Sequence, residues 1–244
     1  MVSMLFFLIA VVVVCGCVGW RKIYAIALSR GRHWPMESPP LEISFYEDLL
    51  SVEEAKQIIH YARPRLQRST VASKNRVEEI RTSTNTSMPP MQFPSTARLS
   101  RFISGLAKLP ITHFEDIQIV HYKPGQHYGF HWDTCPPFDT EATKICKEVL
   151  DKYGTRRYTF FIYLNHCEEG GETAFSEYKD IRGKPKLGNG LLWRNTFVDK
   201  NGNEITNYNT RHAGLPVKKG EKWGMNFWIR TQPFVPSHKL FYGK

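Results

Sequence analysis

After Pro110 the chain changes character: short runs rich in aromatic and β-branched residues alternate with turn residues down to Ile229. Ile117 to Tyr122, Tyr128 to Trp132, Tyr158 to Leu164 (YTFFIYL), Gly190 to Trp193, Leu215 to Val217 and Trp223 to Ile229 all read as strands, with Pro124-Gly125 as a turn between the first two. Two helical segments precede them. Ser51-Val-Glu-Glu54 fits a capping box, Ala55, Ile58, Ile59 and Ala62 recur at helical spacing, and Pro64 ends the segment. Ala97 to Lys108 carries the apolar stripe Leu99, Phe102, Ile103 and Leu106. Helices followed by many short strands predict an α+β chain, an all-β sandwich or barrel buttressed by N-terminal helices.

The start of the sequence is set apart. Met4 to Trp20 contains no charged side chain, and Arg21 and Lys22 close the run. That length spans most of a hydrocarbon core of about 30 Å, so residues 1–22 are predicted to form one transmembrane helix. A cleaved signal peptide is the rival, but no Lys or Arg precedes the run. Residues 23–40, ending in the Pro-rich GRHWPMESPP, read as a linker, and 41–244 as one domain. The basic flank would place the following domain in the cytosol by the positive-inside rule. With 41% hydrophobic and 23% charged residues the body is ordinary for a globular chain, and five cysteines are too few for a small disulfide scaffold. The formal charge of +10 is concentrated after Arg182 and reads as a solvated basic face or as attraction for an anionic ligand. No nucleic-acid-binding motif accompanies it.

One set of residues names a chemistry. His131-Trp-Asp133 offers an imidazole and a carboxylate at i and i+2, which share a face in a strand. A third ligand must come from elsewhere, and His212 lies beside another short strand. Two His and one carboxylate on one face of an octahedral ion leave three positions open, an arrangement that suits Fe(II). Lys222 follows ten residues after His212, where a reversal through Lys219-Gly220 would aim its ammonium back toward the metal pocket, able to pair with the distal carboxylate of a 2-oxo acid. The HxD pair alone also occurs by chance as a surface His and a turn Asp; the full set is far more specific.

Ile119-Val-His-Tyr-Lys-Pro-Gly-Gln-His-Tyr-Gly-Phe-His-Trp-Asp133, Arg156-Arg-Tyr-Thr-Phe-Phe-Ile-Tyr-Leu-Asn165, Gly170-Gly-Glu-Thr-Ala-Phe175 and His212-Ala-Gly-Leu-Pro-Val-Lys-Lys-Gly-Glu-Lys-Trp223 together resemble the successive motifs of the prolyl 4-hydroxylases. The resemblance runs from about Leu41 to Ile229. It implies a double-stranded β-helix (jelly-roll) core and Fe(II)- and 2-oxoglutarate-dependent hydroxylation of peptidyl proline in proline-rich or collagen-like sequences, with O2 consumed, succinate and CO2 as coproducts and ascorbate as an accessory. By motif, His131, Asp133 and His212 become the iron ligands, and Lys222, Tyr122 and Thr159 bind the cosubstrate. Arg81 and Ser83 of an R-x-S segment, with Tyr128 and Trp228, take the peptide substrate. The family's anchored members imply the endoplasmic reticulum membrane with the catalytic domain lumenal, against the charge flank.

Two departures stand out: Ser176 where the family usually has Pro, and a long charged stretch from Pro136 to Tyr153. In an oxidising lumen Cys135 with Cys146 is the expected disulfide, Cys167 being the other candidate. Asn85 opens a glycosylation sequon within the expected substrate loop, where a glycan would obstruct binding. The alternatives are an oxygenase that modifies another protein target, and a catalytically silent jelly roll that holds peptides.

Overall fold

The computed structural model describes residues 38–69, 79–135 and 149–234, together with the backbone of two short strands ahead of them, Val13–Val14 (β1) and Lys22–Ile26 (β2). The later strands are Glu42–Tyr46 (β3), Gln67–Arg68 (β4), Thr84–Met88 (β5), Ile117–Tyr122 (β6), Tyr128–His131 (β7), Arg156–Tyr163 (β8), Glu169–Gly170 (β9), Thr173–Phe175 (β10), Tyr178–Gly183 (β11), Gly190–Arg194 (β12), Thr196–Val198 (β13), Glu204–Thr206 (β14), His212–Gly214 (β15), Val217–Lys219 (β16) and Lys222–Arg230 (β17). Helices Val52–Ala62 (α1) and Pro94–Ala107 (α2) precede β6. A major sheet runs β1-β2-β3-β12-β8-β17-β6-β5-β4 and a minor sheet β11-β10-β15-β7, with antiparallel pairing throughout. This mostly antiparallel core with few helices is consistent with a jelly roll.

Period-two alternation gives the major sheet two buried faces. On β17, Trp223, Met225, Phe227 and Ile229 join Phe160 and Ile162 of β8 and Ile117 and Ile119 of β6 in one core, which α1 and α2 cover with Ala55, Ile58, Leu99 and Ile103. The intervening residues turn the other way. Val120, Tyr122, Phe161, Tyr163, Leu191 and Trp193 meet Phe175, Tyr178 and Val217 in a second core. The functional side chains described below lie on this second side, between the sheets.

The helices are held as their sequences require. Glu54 N donates to Ser51 Oγ at 3.2 Å and Ser51 N to Glu54 Oε2 at 2.9 Å, completing the capping box. Arg98 of α2 then ties the two helices through Glu54 at 2.9 Å. α2 begins three residues before the expected Ala97, because Pro94 at its first position lacks only an amide that the helix would leave unpaired. Its stop is Lys108, in left-handed backbone at φ 52°.

Several expectations change. The strand expected over Leu215 to Val217 is two strands, β15 and β16, broken at Pro216, which has no amide for a ladder. β7 ends at His131, so Asp133 occupies a bend rather than the shared strand face expected for it. Of the expected membrane helix over residues 1–22, Val13–Val14 and Lys22 are described, Val13–Val14 as strand β1 paired with Lys22 and Ile23 of β2; the rest lies outside the described residues. A β-branched pair suits a strand better than a helix. Lys22–Ile26, which spans the boundary between the expected anchor and the expected linker, is strand β2 paired with β3. Among the described residues no helix is long and apolar enough to cross a membrane.

Candidate metal centre

His131 ends β7 and His212 opens β15, and the two residues are register partners in the minor sheet. Their rings lie 4.4 Å apart. Asp133 closes the group, with Oδ1 3.8 Å from His131 Nε2 and Oδ2 3.6 Å from His212 Nε2. One ligand atom from each of the three lies within 4.8 Å of the others.

Both imidazoles are aimed by the same device. His131 Nδ1 meets the Gly129 carbonyl at 2.8 Å, and His212 Nδ1 meets the Thr210 carbonyl at 2.9 Å. A carbonyl only accepts, so each Nδ1 carries the proton and each Nε2 presents a lone pair to the cluster. Burial, with His212 beside it, pushes His131 down to about 3, which keeps its imidazole neutral and fit to ligate. Burial works against ionisation of Asp133, but the charge its two imidazole neighbours carry when protonated, then Arg156 and the Thr159 hydroxyl, outweigh it and hold its carboxyl below the usual range. Two imidazole nitrogens and a carboxylate oxygen, with no thiolate, are a donor set that accepts Fe(II). The three residues fit that ion.

Lys222 lies in the same cavity as the triad, together with Tyr122 and Tyr128. It begins β17 after a tight reversal, in which Gly220 takes φ 79°. Asn165 fixes its neighbours: its Nδ2 donates to the Glu221 carbonyl at 2.8 Å and its Oδ1 accepts from the Trp223 amide at 2.7 Å. The ammonium is buried among the rings of Tyr122, Phe161 and Tyr163, at 5.2, 5.2 and 5.5 Å from their centroids. No carboxylate pairs with it among the described residues, and burial pulls its pKa down to about 7. A Cβ on Gly214 would lie 3.5 Å from Lys222 Nζ and 3.7 Å from Tyr122 Oη, so the missing side chain leaves room above both. A buried cation with an open approach and no carboxylate in ion-pair contact among the described residues is suited to an anionic ligand.

The other expected site residues divide. Arg81 lies 4.7 Å over the Tyr128 ring, and Tyr128 stacks on His131 at 3.6 Å, so both border the triad. Trp228 lines the adjoining cavity beneath Arg156, whose guanidinium is 3.7 Å from the indole. Ser83 does not reach the cavity: it is fully buried and donates to Ser69 Oγ at 2.9 Å. Thr159 is likewise buried, and its hydroxyl donates to Asp133 Oδ2 at 2.6 Å. This bond forms because the bend after β7 brings the carboxylate of Asp133, a candidate metal ligand, against β8. Asn85 Nδ2, the sequon nitrogen, is engaged by Ser69 Oγ at 2.6 Å. Cys135 is disulfide-bonded and Cys167 is a free buried thiol, while Cys146 lies outside the described residues.

Pattern reading misses a buried ionic group at the cavity wall. Glu115 receives Arg156 at 2.6 and 2.8 Å and pairs with Arg230 at 2.8 Å. Burial opposes ionisation of Glu115, but the two guanidiniums together hold its carboxyl below the usual range. Arg156 also reaches the Asp133 carbonyl at 3.4 Å. Only the resemblance drew attention to Arg156, and nothing in local spacing connects it with Glu115.

Comparison with known proteins follows the same region. The family model described as the 2OG-Fe(II) oxygenase superfamily matches residues 117–230. The chain is 32% identical over 213 residues to prolyl 4-hydroxylase 2 of Arabidopsis thaliana, covering 78% of this chain and 67% of that protein. It is 34% identical over 191 residues to prolyl 4-hydroxylase subunit alpha-3 of Homo sapiens, covering 77% of this chain and 33% of that longer protein. Among solved structures, the viral collagen prolyl hydroxylase of Paramecium Bursaria Chlorella virus-1, in its 2OG complex, matches with a TM-score of 0.57 and 28% identity, covering 77% of this chain and 94% of that one.

Proposed function

Because this chain belongs to the prolyl 4-hydroxylase family of 2OG-Fe(II) oxygenases, we propose that it hydroxylates peptidyl proline in proline-rich or collagen-like sequences. Fe(II) and 2-oxoglutarate supply the oxidising chemistry, in which O2 is consumed, a proline C–H becomes C–OH, and succinate and CO2 are released.

The chain's own residues have separable tasks in this reading. His131, Asp133 and His212 hold the ion through two nitrogens and one oxygen, leaving the remaining positions for cosubstrate and O2. Lys222, with Tyr122 beside it, holds the distal carboxylate of 2-oxoglutarate. In a buried cage that charge-assisted contact is strong, since no water competes for either partner. Arg81, Tyr128 and Trp228 border the approach and fix the peptide, so that the reacting carbon is held at a set distance from the metal. No protein group is required to take a proton from carbon. Ascorbate serves as an accessory reductant. In this reading the domain faces the lumen of the endoplasmic reticulum. A bonded Cys135 accords with an oxidising compartment.

The observation that carries the reading is the convergence of the triad next to a buried lysine with no ion-paired carboxylate among the described residues. The test incubates the full chain with Fe(II), 2-oxoglutarate and a poly-proline peptide, following succinate release and the peptide's mass. Peptide-stimulated succinate release with the gain of one oxygen per modified proline is expected. Succinate release indifferent to peptide would point to another protein target. Absence of both turnover and iron binding would leave a silent peptide-holding jelly roll.

A further inference from the structure

Asn195 sits where the chain passes from β12 to β13 and is wholly buried. Main-chain bonds fix it on both sides: its amide donates to the Arg157 carbonyl, and its carbonyl accepts from the Asn207 amide, each at 2.8 Å. Its side-chain nitrogen donates to Thr159 Oγ1 at 2.8 Å, and Thr159 Oγ1 donates in turn to Asp133 Oδ2 at 2.6 Å. The direction of both bonds follows from chemistry. An ionised carboxylate only accepts, so the Thr159 proton points at Asp133. The threonine oxygen then has lone pairs left and requires a donor, which turns the Asn195 amide nitrogen toward it. Asn195 Oδ1 is left buried with no partner among the described residues, so this amide is oriented by Thr159 and not by any bond to its own oxygen.

We infer that Asn195 is a positioning residue for the metal centre, acting through Thr159 to occupy Asp133 Oδ2 and leave Oδ1 as the single coordinating oxygen. This rests on the metal-centre reading above. Asp133 lies in a bend, not a strand, so main-chain pairing does not by itself set its rotation. With the relay cut, the carboxylate is free to rotate, and Oδ1 is no longer held toward the ion. Thr159 thereby serves the metal ligand directly, and Asn195 serves it from one bond further out.

The full chain loaded with Mn(II), and separately with Co(II), tests this without turnover. Thr159→Val removes the hydroxyl with little change of shape, Thr159→Ser keeps it, and Asn195→Leu removes the amide. Asn195→Ala, which retains both main-chain bonds, replaces Asn195→Leu if that variant does not fold. Mn(II) affinity measured by electron paramagnetic resonance should fall about tenfold or more in Thr159→Val and Asn195→Leu, the range typical of groups that orient a ligand. The Co(II) absorption spectrum should change in both and remain like wild type in Thr159→Ser. The double variant Thr159→Val/Asn195→Leu should lose no more affinity than either single one, since one relay is cut twice. Folded Asn195 variants with wild-type Mn(II) affinity and Co(II) spectrum would overturn the inference, as would losses that multiply in the double variant. A wild-type chain that binds no Mn(II) would overturn the metal centre itself, and the relay with it.

Discussion

Lys222 and Tyr122 are register partners across β17 and β6, and the lysine ammonium lies 5.2 Å from the tyrosine ring centroid. The pairing places both side chains on the face of the major sheet that looks toward the metal ligands. It also buries the ammonium, with no carboxylate in ion-pair contact among the described residues.

Binding of 2-oxoglutarate should therefore be coupled to a proton. The free lysine has a pKa of about 7, below its ordinary 10.5. The dianion binds the charged form and raises that pKa. Above pH 7, cosubstrate binding then takes up protons, and affinity falls as pH rises. Calorimetry at pH 8 in two buffers of different ionisation enthalpy should give different apparent heats for the wild type and equal heats for Lys222→Met. Buffer-independent heats in the wild type would defeat the assignment of this lysine to the carboxylate.

The same shift predicts a stability effect of opposite character. A lysine whose folded pKa lies below its unfolded value costs stability as pH falls from 10.5 toward 7, and that cost is fully present below 7. Lys222→Met keeps similar volume and removes the charge. Without ligand at pH 6.5 it should melt at a higher temperature than wild type, and the difference should shrink toward pH 10. A lower melting temperature for Lys222→Met at pH 6.5 would contradict this.

Glu115 is the reverse case. Glu115→Gln would leave Arg156 and Arg230 buried against a neutral amide, and breaking such a group costs about 3–5 kcal/mol. Because the folded-state pKa of Glu115 is depressed, its contribution is present above 4.5 and is lost as pH falls through the folded value. Urea denaturation at pH 7 should show the full loss, and the gap between variant and wild type should narrow in acid.

Asn165 clamps the two peptide groups that flank Lys222. Asn165→Ala should cost about 1–3 kcal/mol of stability, since it orphans partly buried main-chain groups. It should also weaken 2-oxoglutarate binding while leaving Mn(II) affinity at the wild-type level. Equal weakening of both ligands would show that the clamp does not act on Lys222 alone.

Gly224 reports on packing behind the cage. A Cβ there would fall 2.2 Å from Phe161 Cζ. Gly224→Ala should lose about 1–3 kcal/mol by overpacking, and Phe161→Leu in the same chain should restore part of it. Thermal melts of the two single variants and the double variant decide the point.

The convergence of His131, Asp133 and His212 beside Lys222 was legible in the sequence because their spacing is itself a geometric statement: a pair two residues apart, a distant histidine, and a lysine one reversal beyond it. The major-sheet strands β6, β8 and β17, the last of which carries Lys222, were legible because they are long enough to display alternation. The two- and three-residue strands β1, β4, β9, β10, β13, β14, β15 and β16 contain too few residues to show any period. Thr159 and Ser83 lie in recognisable motifs, yet what each hydroxyl touches depends on neighbours from other parts of the chain, Asp133 for one and Ser69 for the other. Glu115, Asn165 and Asn195 act through partners 36 to 115 residues away or through main-chain groups, and no local pattern records such bonds.

β7 is the outermost strand of the minor sheet, and one of its residues faces His212 directly across the ladder. An ion shared by these two imidazoles is thus a rivet through the sheet's border, joining its last strand to the next. Release of the ion should loosen that border first, so that amide exchange along Tyr128–His131 reports occupancy of the centre before any change is felt in the deep aromatic core.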